Sequence, residues 1–404
     1  MKNHIPLKFE LLFAAVMLFV GSSDCQAIRF DQSLFSTAGF HKLENSDSRR
    51  IYSFNNGWYF HKGDLPETPG EGFKPTKAWK QVQLPHGIEP LPEEASGGVN
   101  YQGIVWYCKR FVLPGEIRDK RISLTFEAIM GKCKIWLNGR LIADHKGGYL
   151  PIVLDLTKNH LKETSENVIA VMADNSDDGS YPPGKPEYTL DFAYMGGIYR
   201  DAWLLATNDV HITDANGTGK VGGGAVFVHY EKVSGQSADV IVQTDILNEG
   251  ANSRRVVVET YLQNDAGEIV GKTSGKLLLH QNSSKTITQR LPVMHPGLWS
   301  PDEPNLYRLY SLVKNNKNEI IDGYYQQIGI RSIELRGSEG LYLNGKPFGD
   351  KLIGANHHQD YSSFGSVWAN NLHWQEAKLM RDAGIRIGRG SHCPQDPAFR
   401  NSCD

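Results

Sequence analysis

Two stretches, KLIGANHHQDY (Lys351–Tyr361) and NLHWQEAKLMRDAGIRIGRGSH (Asn371–His392), decide how this chain is read. In the first, a short apolar run ends in a polar cluster. In the second, Leu372, Ala377, Leu379, Met380 and Ala383 recur near helical spacing, and Gly384 offers a stop. Another apolar run, from Ile385, follows and again ends in polar groups. Strand, helix and strand of these lengths make one β-α-β unit, the opening of an α/β fold. One such unit cannot close a sheet or a barrel. The sequence ends at Asp404 in what reads as the next helix. The expectation is a domain completed elsewhere, or a fragment of a longer protein.

The polar clusters fall where parallel α/β folds gather their ligands, at the carboxyl ends of strands. Asn356, His357, His358 and Asp360 follow the first strand; Arg389, Ser391 and His392 close the second. Such donors and acceptors suit a polyhydroxylated ligand. They also raise a zinc set of His357, His358, His392 and Cys393. Spacing speaks against it, because neighbouring residues on extended chain point to opposite sides and no HxH or HExxH pattern is present. His357 is read as an exposed or packing residue.

Upstream the texture is β. From about Ile28 to Leu205, GIVWYCKRFVL, RISLTFEAI and NVIAVMADN alternate between turn clusters. CKIWLNGRLIAD carries an Asn138-Gly139 hairpin signal, and KGGYLPIVLDLT reads as a turn and an edge strand. This is a sandwich or jelly roll. A second β stretch, about Val210 to Leu335, has strands spaced like an immunoglobulin domain and few clustered functional residues. The segment 174–201 is long and polar yet holds Tyr181, Tyr188, Tyr194 and Tyr199, which argues for a packed loop between domains or one reaching into a ligand site. Its Asp177, Asp178 and Asp191 form no DxDxDG calcium ladder.

The 404 residues suit two to three domains, and a formal net charge of −2 argues against nucleic acid or an anionic membrane surface as partner. The amino terminus reads as an export signal. Lys2 and Lys8 precede the apolar run Leu11–Gly21, too short to span a bilayer, and CQA ending at Ala27 suits cleavage. Cys25 raises a lipoprotein alternative, but Asp24 stands where a small residue would precede it. A secreted or periplasmic location follows. Cys108, Cys133, Cys393 and Cys403 are read as thiols, with a Cys108–Cys133 bridge open should their strands be adjacent.

The order of motifs resembles family 2 glycoside hydrolases, the β-galactosidases, β-glucuronidases and β-mannosidases. The match runs from about Ile51 to Asp404. It comprises LPH at Leu84, YQGIVWYCKRF at Tyr101, IWLNGRLIADHKGGYLPIVLDLT at Ile135, MGGIYRDAWLL at Met195, LWSPDEPNLYRL at Leu298, IGIRSIE at Ile328, LYLNGKP at Leu341, GANHHQD at Gly354 and GRGSHCPQDPAF at Gly388. With the leader read as a signal peptide (1–27), the resemblance implies a jelly-roll sugar-binding domain (28–206), an immunoglobulin-like sandwich (207–336) and the start of a (β/α)8 barrel (337–404). It implies hydrolysis of terminal β-linked sugars of an oligo- or polysaccharide, with no redox cofactor; an assisting Na⁺ or Mg²⁺ and the oligomeric state stay open.

By resemblance Asn356, His358, Arg389 and His392 bind sugar, and Asp191 enters the same site from the first domain. His357, Gln359 and Cys393 depart from the family's usual Arg, Glu and Tyr. Retaining glycosidases need two carboxylates about 5 Å apart, and in this family both are Glu on later barrel strands, the acid/base in an N-E motif. Asn248-Glu249 sits in the second β stretch, and Glu376 on the helix after the first barrel strand; neither fits. No catalytic residue is therefore assigned in this chain. The expected fragment is inactive alone. The competing expectation is a non-catalytic carbohydrate-binding protein.

Overall fold

The structure, a computed structural model, describes residues 48–91, 100–192, 194–349 and 352–404. The expected leader and Cys25 lie outside these residues.

The first domain is a sandwich of a four-stranded and a six-stranded antiparallel sheet. In the larger sheet, Ile104–Phe111 pairs with Trp58–Lys62 and Asn167–Asp174. Alternation sends Val105 and Tyr107 into the core between the sheets, where Trp58, Phe126 and Ile135 are fully buried. Aromatic side chains of this kind each remove about 150–250 Å² from water, which makes them the main source of cohesion. The Asn138-Gly139 signal is realised. Both residues take positive φ, 52° and 80°, as a type I′ turn requires, between Lys132–Leu137 and Arg140–Lys146. Ile152–Asp155 lies at a sheet edge, as expected.

The two sheet cysteines are not bridged. Cys108 and Cys133 lie on strands separated by Asn167–Asp174. Cys133 faces the central core and Cys108 packs on the sheet's other face beside Trp106 and Ala170. Opposite faces of one sheet cannot meet across an S–S bond. Burial pushes both thiols up to about 12.

The second domain is an antiparallel sandwich. Ser237–Asn248 pairs with Val210–Ile212, Val226–Glu231 and Ser283–Met294, facing a sheet built on Arg254–Gln263 and Tyr307–Lys314. It also contains Ile269–Leu279 and Ile320–Ile328, two strands that Gly, Lys and turn residues disguise in the sequence. A buried ion pair joins the two sandwiches. Arg49, on the first strand of the jelly roll, donates through Nε and Nη2 to Asp322 at 3.0 and 2.8 Å, and through Nη2 to the Ile212 carbonyl at 2.6 Å. Asp322 also accepts from the Ile212 amide at 2.6 Å. Both charges are thereby satisfied away from water, as burial requires.

The last part holds a small three-stranded antiparallel sheet (Ile333–Leu335, Leu341–Leu343, Lys346–Pro347) and then the β-α-β unit. Strands Gly354–His357 and Ile387–Gly390 are parallel neighbours, joined through the helix Asn370–Asp382. Gly384, at φ 79°, ends the helix, and the Ile385 amide bonds back to the Met380 carbonyl at 3.0 Å. The expected apolar stripe is not what buries this helix: Leu379 is 60% exposed while His373 is fully buried. A polar residue thus takes the inward position, against Trp368 and beside Asp396. Among the described residues no helix is long and apolar enough to cross a membrane.

The Arg49–Asp322 pair gives a direct test. Removing one partner leaves the other charge buried, so Asp322→Ala should lower unfolding free energy by about 3–5 kcal/mol. An apolar pair, Arg49→Met with Asp322→Leu, should recover most of that loss. Chemical denaturation of the three proteins decides; equal stability of Asp322→Ala and the parent would refute the role.

Candidate functional site

Parallel pairing sets the site. The register aligns Asn356 with Arg389 and His357 with Gly390, so both carboxyl ends arrive at one edge. Strand alternation then separates the adjacent histidines. His357 turns inward and is 4% exposed. Its Nδ1 meets Gln395 Oε1 at 2.7 Å, its Nε2 meets Glu376 Oε2 at 2.9 Å, and its ring stacks on Phe399 at 3.9 Å. His357 is a packing residue, and Glu376 is its partner on the helix. On the other face, Asn356 Oδ1 accepts from Arg389 Nη1 at 3.3 Å, both residues being exposed.

The 174–201 segment is packed and also reaches the strand ends. Tyr181, Leu190, Tyr194 and Tyr199 are buried; Tyr199 donates to the Gly148 carbonyl at 2.6 Å. Its early carboxylates are committed locally. Asp177 accepts from Gln102 and from the Glu187 amide, and Asp178 accepts from the Ser180 amide. Only Asp191 is carried across to the barrel edge. One ligating atom each of Asp191, His358 and His392 lies within 4.8 Å of the others. The Phe192 ring packs against both imidazoles, at 5.5 and 6.4 Å between centroids. All five residues read as sugar-binding in the sequence therefore sit at this edge or on the loop that reaches it.

Two imidazoles and a carboxylate can also hold a divalent ion. The donor set differs from the zinc quartet weighed in the sequence: His357 faces away, and Asp191 takes part. Asn248 and Glu249 are structural, as expected. Asn248 bonds the carbonyls of Asn252 and His280, and Glu249 pairs with Lys158 of the jelly roll.

Beneath the site lies a residue that sequence reasoning quoted without a role. Arg200, 3% exposed, donates through Nη2 to the Pro394 carbonyl at 2.8 Å and to Gln359 Oε1 at 3.1 Å, and its Nε lies 3.6 Å from Asp396. A charged residue inside the apolar frame GGIYRDAW was the available signal. Around it are three buried carboxyls, Glu127, Asp201 and Asp396. Burial pushes Asp201 up to about 6, with Asp396 adding repulsion. Burial also holds Glu127 well above the carboxylate range, reinforced by Asp396 and Asp201. Glu127 Oε1 accepts from the Trp203 indole at 3.0 Å.

Comparison with known proteins fits this geometry. The profile described as glycosyl hydrolases family 2, sugar binding domain, matches residues 78–208; glycosyl hydrolases family 2 matches 224–331; and the family's TIM barrel domain matches 333–404. The chain belongs to glycosyl hydrolase family 2. Its family relatives include a β-galactosidase of Thermoanaerobacter pseudethanolicus, 29% identical over 357 residues, covering 88% of this chain and 45% of the relative. A β-glucuronidase of Formosa agariphila is 27% identical over 371 residues, covering 87% and 37%. Among solved structures, a Bacteroides uniformis β-glucuronidase superposes with a TM-score of 0.78 at 28% identity, over 88% of this chain and 41% of that one. A family 2 member from Bacteroides cellulosilyticus gives 0.77 at 29%, over 88% and 46%. The chain thus spans less than half the length of these family 2 proteins.

The acid cluster makes a pH prediction. A carboxyl whose folded pKa is raised stabilises the fold fully below its unfolded pKa, and that contribution is lost as pH rises through the folded value. Glu127→Gln mimics the protonated form. Its stability relative to the parent should therefore climb between pH 5 and 8, by at most about 1.4 kcal/mol per unit. Paired denaturation curves measure this; parallel pH profiles for the two proteins would contradict it.

Proposed function

We propose that the protein is a retaining exo-β-glycosidase of carbohydrate breakdown, and that this chain provides one wall of its sugar pocket. The convergence of Asp191 with His358 and His392 carries the reading. The carboxylate accepts from sugar hydroxyls, the imidazoles donate or accept, and the Asn356–Arg389 pair extends the polar surface along the same edge. Phe192 adds an apolar ring beside them. Relatives with β-galactosidase and β-glucuronidase activity support a β-linked substrate.

Such a wall binds and orients; double displacement needs a carboxylate pair about 5 Å apart. The convergent group contains a single carboxylate, Asp191. The nucleophile and the acid/base are accordingly assigned to later strands of the barrel, beyond the two that Gly354–His357 and Ile387–Gly390 supply. The reading also includes export, on the basic start and apolar run of the leader.

Two measurements test the reading. A panel of p-nitrophenyl β-glycosides should be turned over by a version extended through the full barrel and not by the 404-residue chain. Robust turnover by the shorter chain would overturn the assignment of the carboxylates. In the extended enzyme, Asp191→Ala and His358→Ala should each lower kcat/KM at least about tenfold, the equivalent of one hydrogen bond to sugar. His357→Ala should instead lower the unfolding midpoint.

A further inference from the structure

A small, partly open cavity of about 20 Å³ is bordered by Phe192, Arg200, His358, Gln359, Ser391 and Cys393 among others. That volume holds one water molecule and little else, since a water needs at least about 10–15 Å³. Three of the bordering residues carry a buried polar atom with no hydrogen-bond partner: His358 Nδ1, Ser391 Oγ and Arg200 Nε, the last with Asp396 3.6 Å away. Ser391 is 3% exposed, and its amide bonds the His357 carbonyl at 2.9 Å, which fixes it beside the strand end. Leaving such atoms without a partner is unfavourable. Polar atoms that are orphaned together around a one-water space are the usual signature of an internal water.

We infer that Ser391 is a positioning residue of the sugar pocket, acting through one water that joins its hydroxyl to Nδ1 of His358. This rests on the reading of His358 as a sugar ligand. The water and Ser391 hold the imidazole from behind while the Phe192 ring packs against it. One ring nitrogen of His358 lies within 4.8 Å of the ligating atoms of Asp191 and His392, so fixing the ring fixes what it presents to them. His358 then meets a hydroxyl without first losing ring freedom, and preorganisation of this kind raises affinity without adding a contact. Ser391 touches no sugar in this arrangement.

The test uses the 404-residue chain labelled with ¹⁵N-histidine, with His358 assigned by the signal lost in His358→Gln. In the parent, long-range ¹H–¹⁵N spectra at pH 8 should show a single neutral tautomer for His358. Ser391→Ala should convert this to a tautomer mixture. It should also weaken binding of p-nitrophenyl β-D-galactoside or β-D-glucuronide about tenfold, one hydrogen bond's worth. Ser391→Thr keeps the hydroxyl and should restore the single tautomer. Thermal unfolding of each variant ensures that spectra are read on folded protein. An unchanged His358 spectrum in folded Ser391→Ala overturns the inference. Failure of the parent to bind either glycoside counts against the sugar-pocket reading, while the His358 spectrum still decides the role of Ser391.

Discussion

A single buried guanidinium holds the site together. Arg200 leaves the jelly roll just before its strand Ala202–Thr207 and reaches into the barrel segment. Its acceptors flank the two histidines of the pocket: Gln359 directly follows His358, and Pro394 stands two residues beyond His392. Asp191 lies nine residues upstream of Arg200 on the same loop. One side chain therefore fixes the distance between the carboxylate from one domain and the imidazoles from another. Removing a guanidinium from water costs several kcal/mol. The Tyr149 carbonyl of the same domain offsets part of that cost, and the Pro394 carbonyl, Gln359 and the nearby Asp396 offset the rest only while the domains stay docked.

The arginine is outnumbered. Glu127, Asp201 and Asp396 crowd around it, and His373, whose basicity burial lowers, lies 3.7 Å from Asp396. Three carboxyls crowd one cation at this junction, and burial raises Glu127 and Asp201 above the ordinary carboxylate range. The junction is thus held by hydrogen bonds as much as by charge. Arg49 and Asp322 solve the same problem between the two sandwiches with a matched pair.

The sandwich textures, the Asn138-Gly139 hairpin and the β-α-β unit were legible because each has a local cause: alternation, positive φ or a helix stop. The strands Ile269–Leu279 and Ile320–Ile328 were not, since their pairing with neighbours, not their composition, makes them strands. For the pocket, the separate fates of His357 and His358 followed from strand alternation alone. Asp191 could be nominated by motif order, yet no sequence rule brings a loop across a domain boundary. In the sequence Ser391 reads only as one of the polar groups closing the second strand, and Arg200 only as part of a motif, because their contacts are set by partners distant in sequence or by a space between residues. The inward turn of His373 defeated helical periodicity, because that rule counts apolar residues only.

The loop that bears Asp191 is anchored by buried tyrosines and delivers its carboxylate to the pocket at a single point. Its anchors and its tip answer to different demands. Under the proposed function, substitutions at the tip would change the carboxylate offered to a hydroxyl while leaving the anchoring tyrosines in place. The proposed pocket is in this sense modular, with the one carboxylate of its convergent group carried on an arm separate from the barrel strands. Divergence in sugar preference among proteins of this architecture could then proceed one wall at a time.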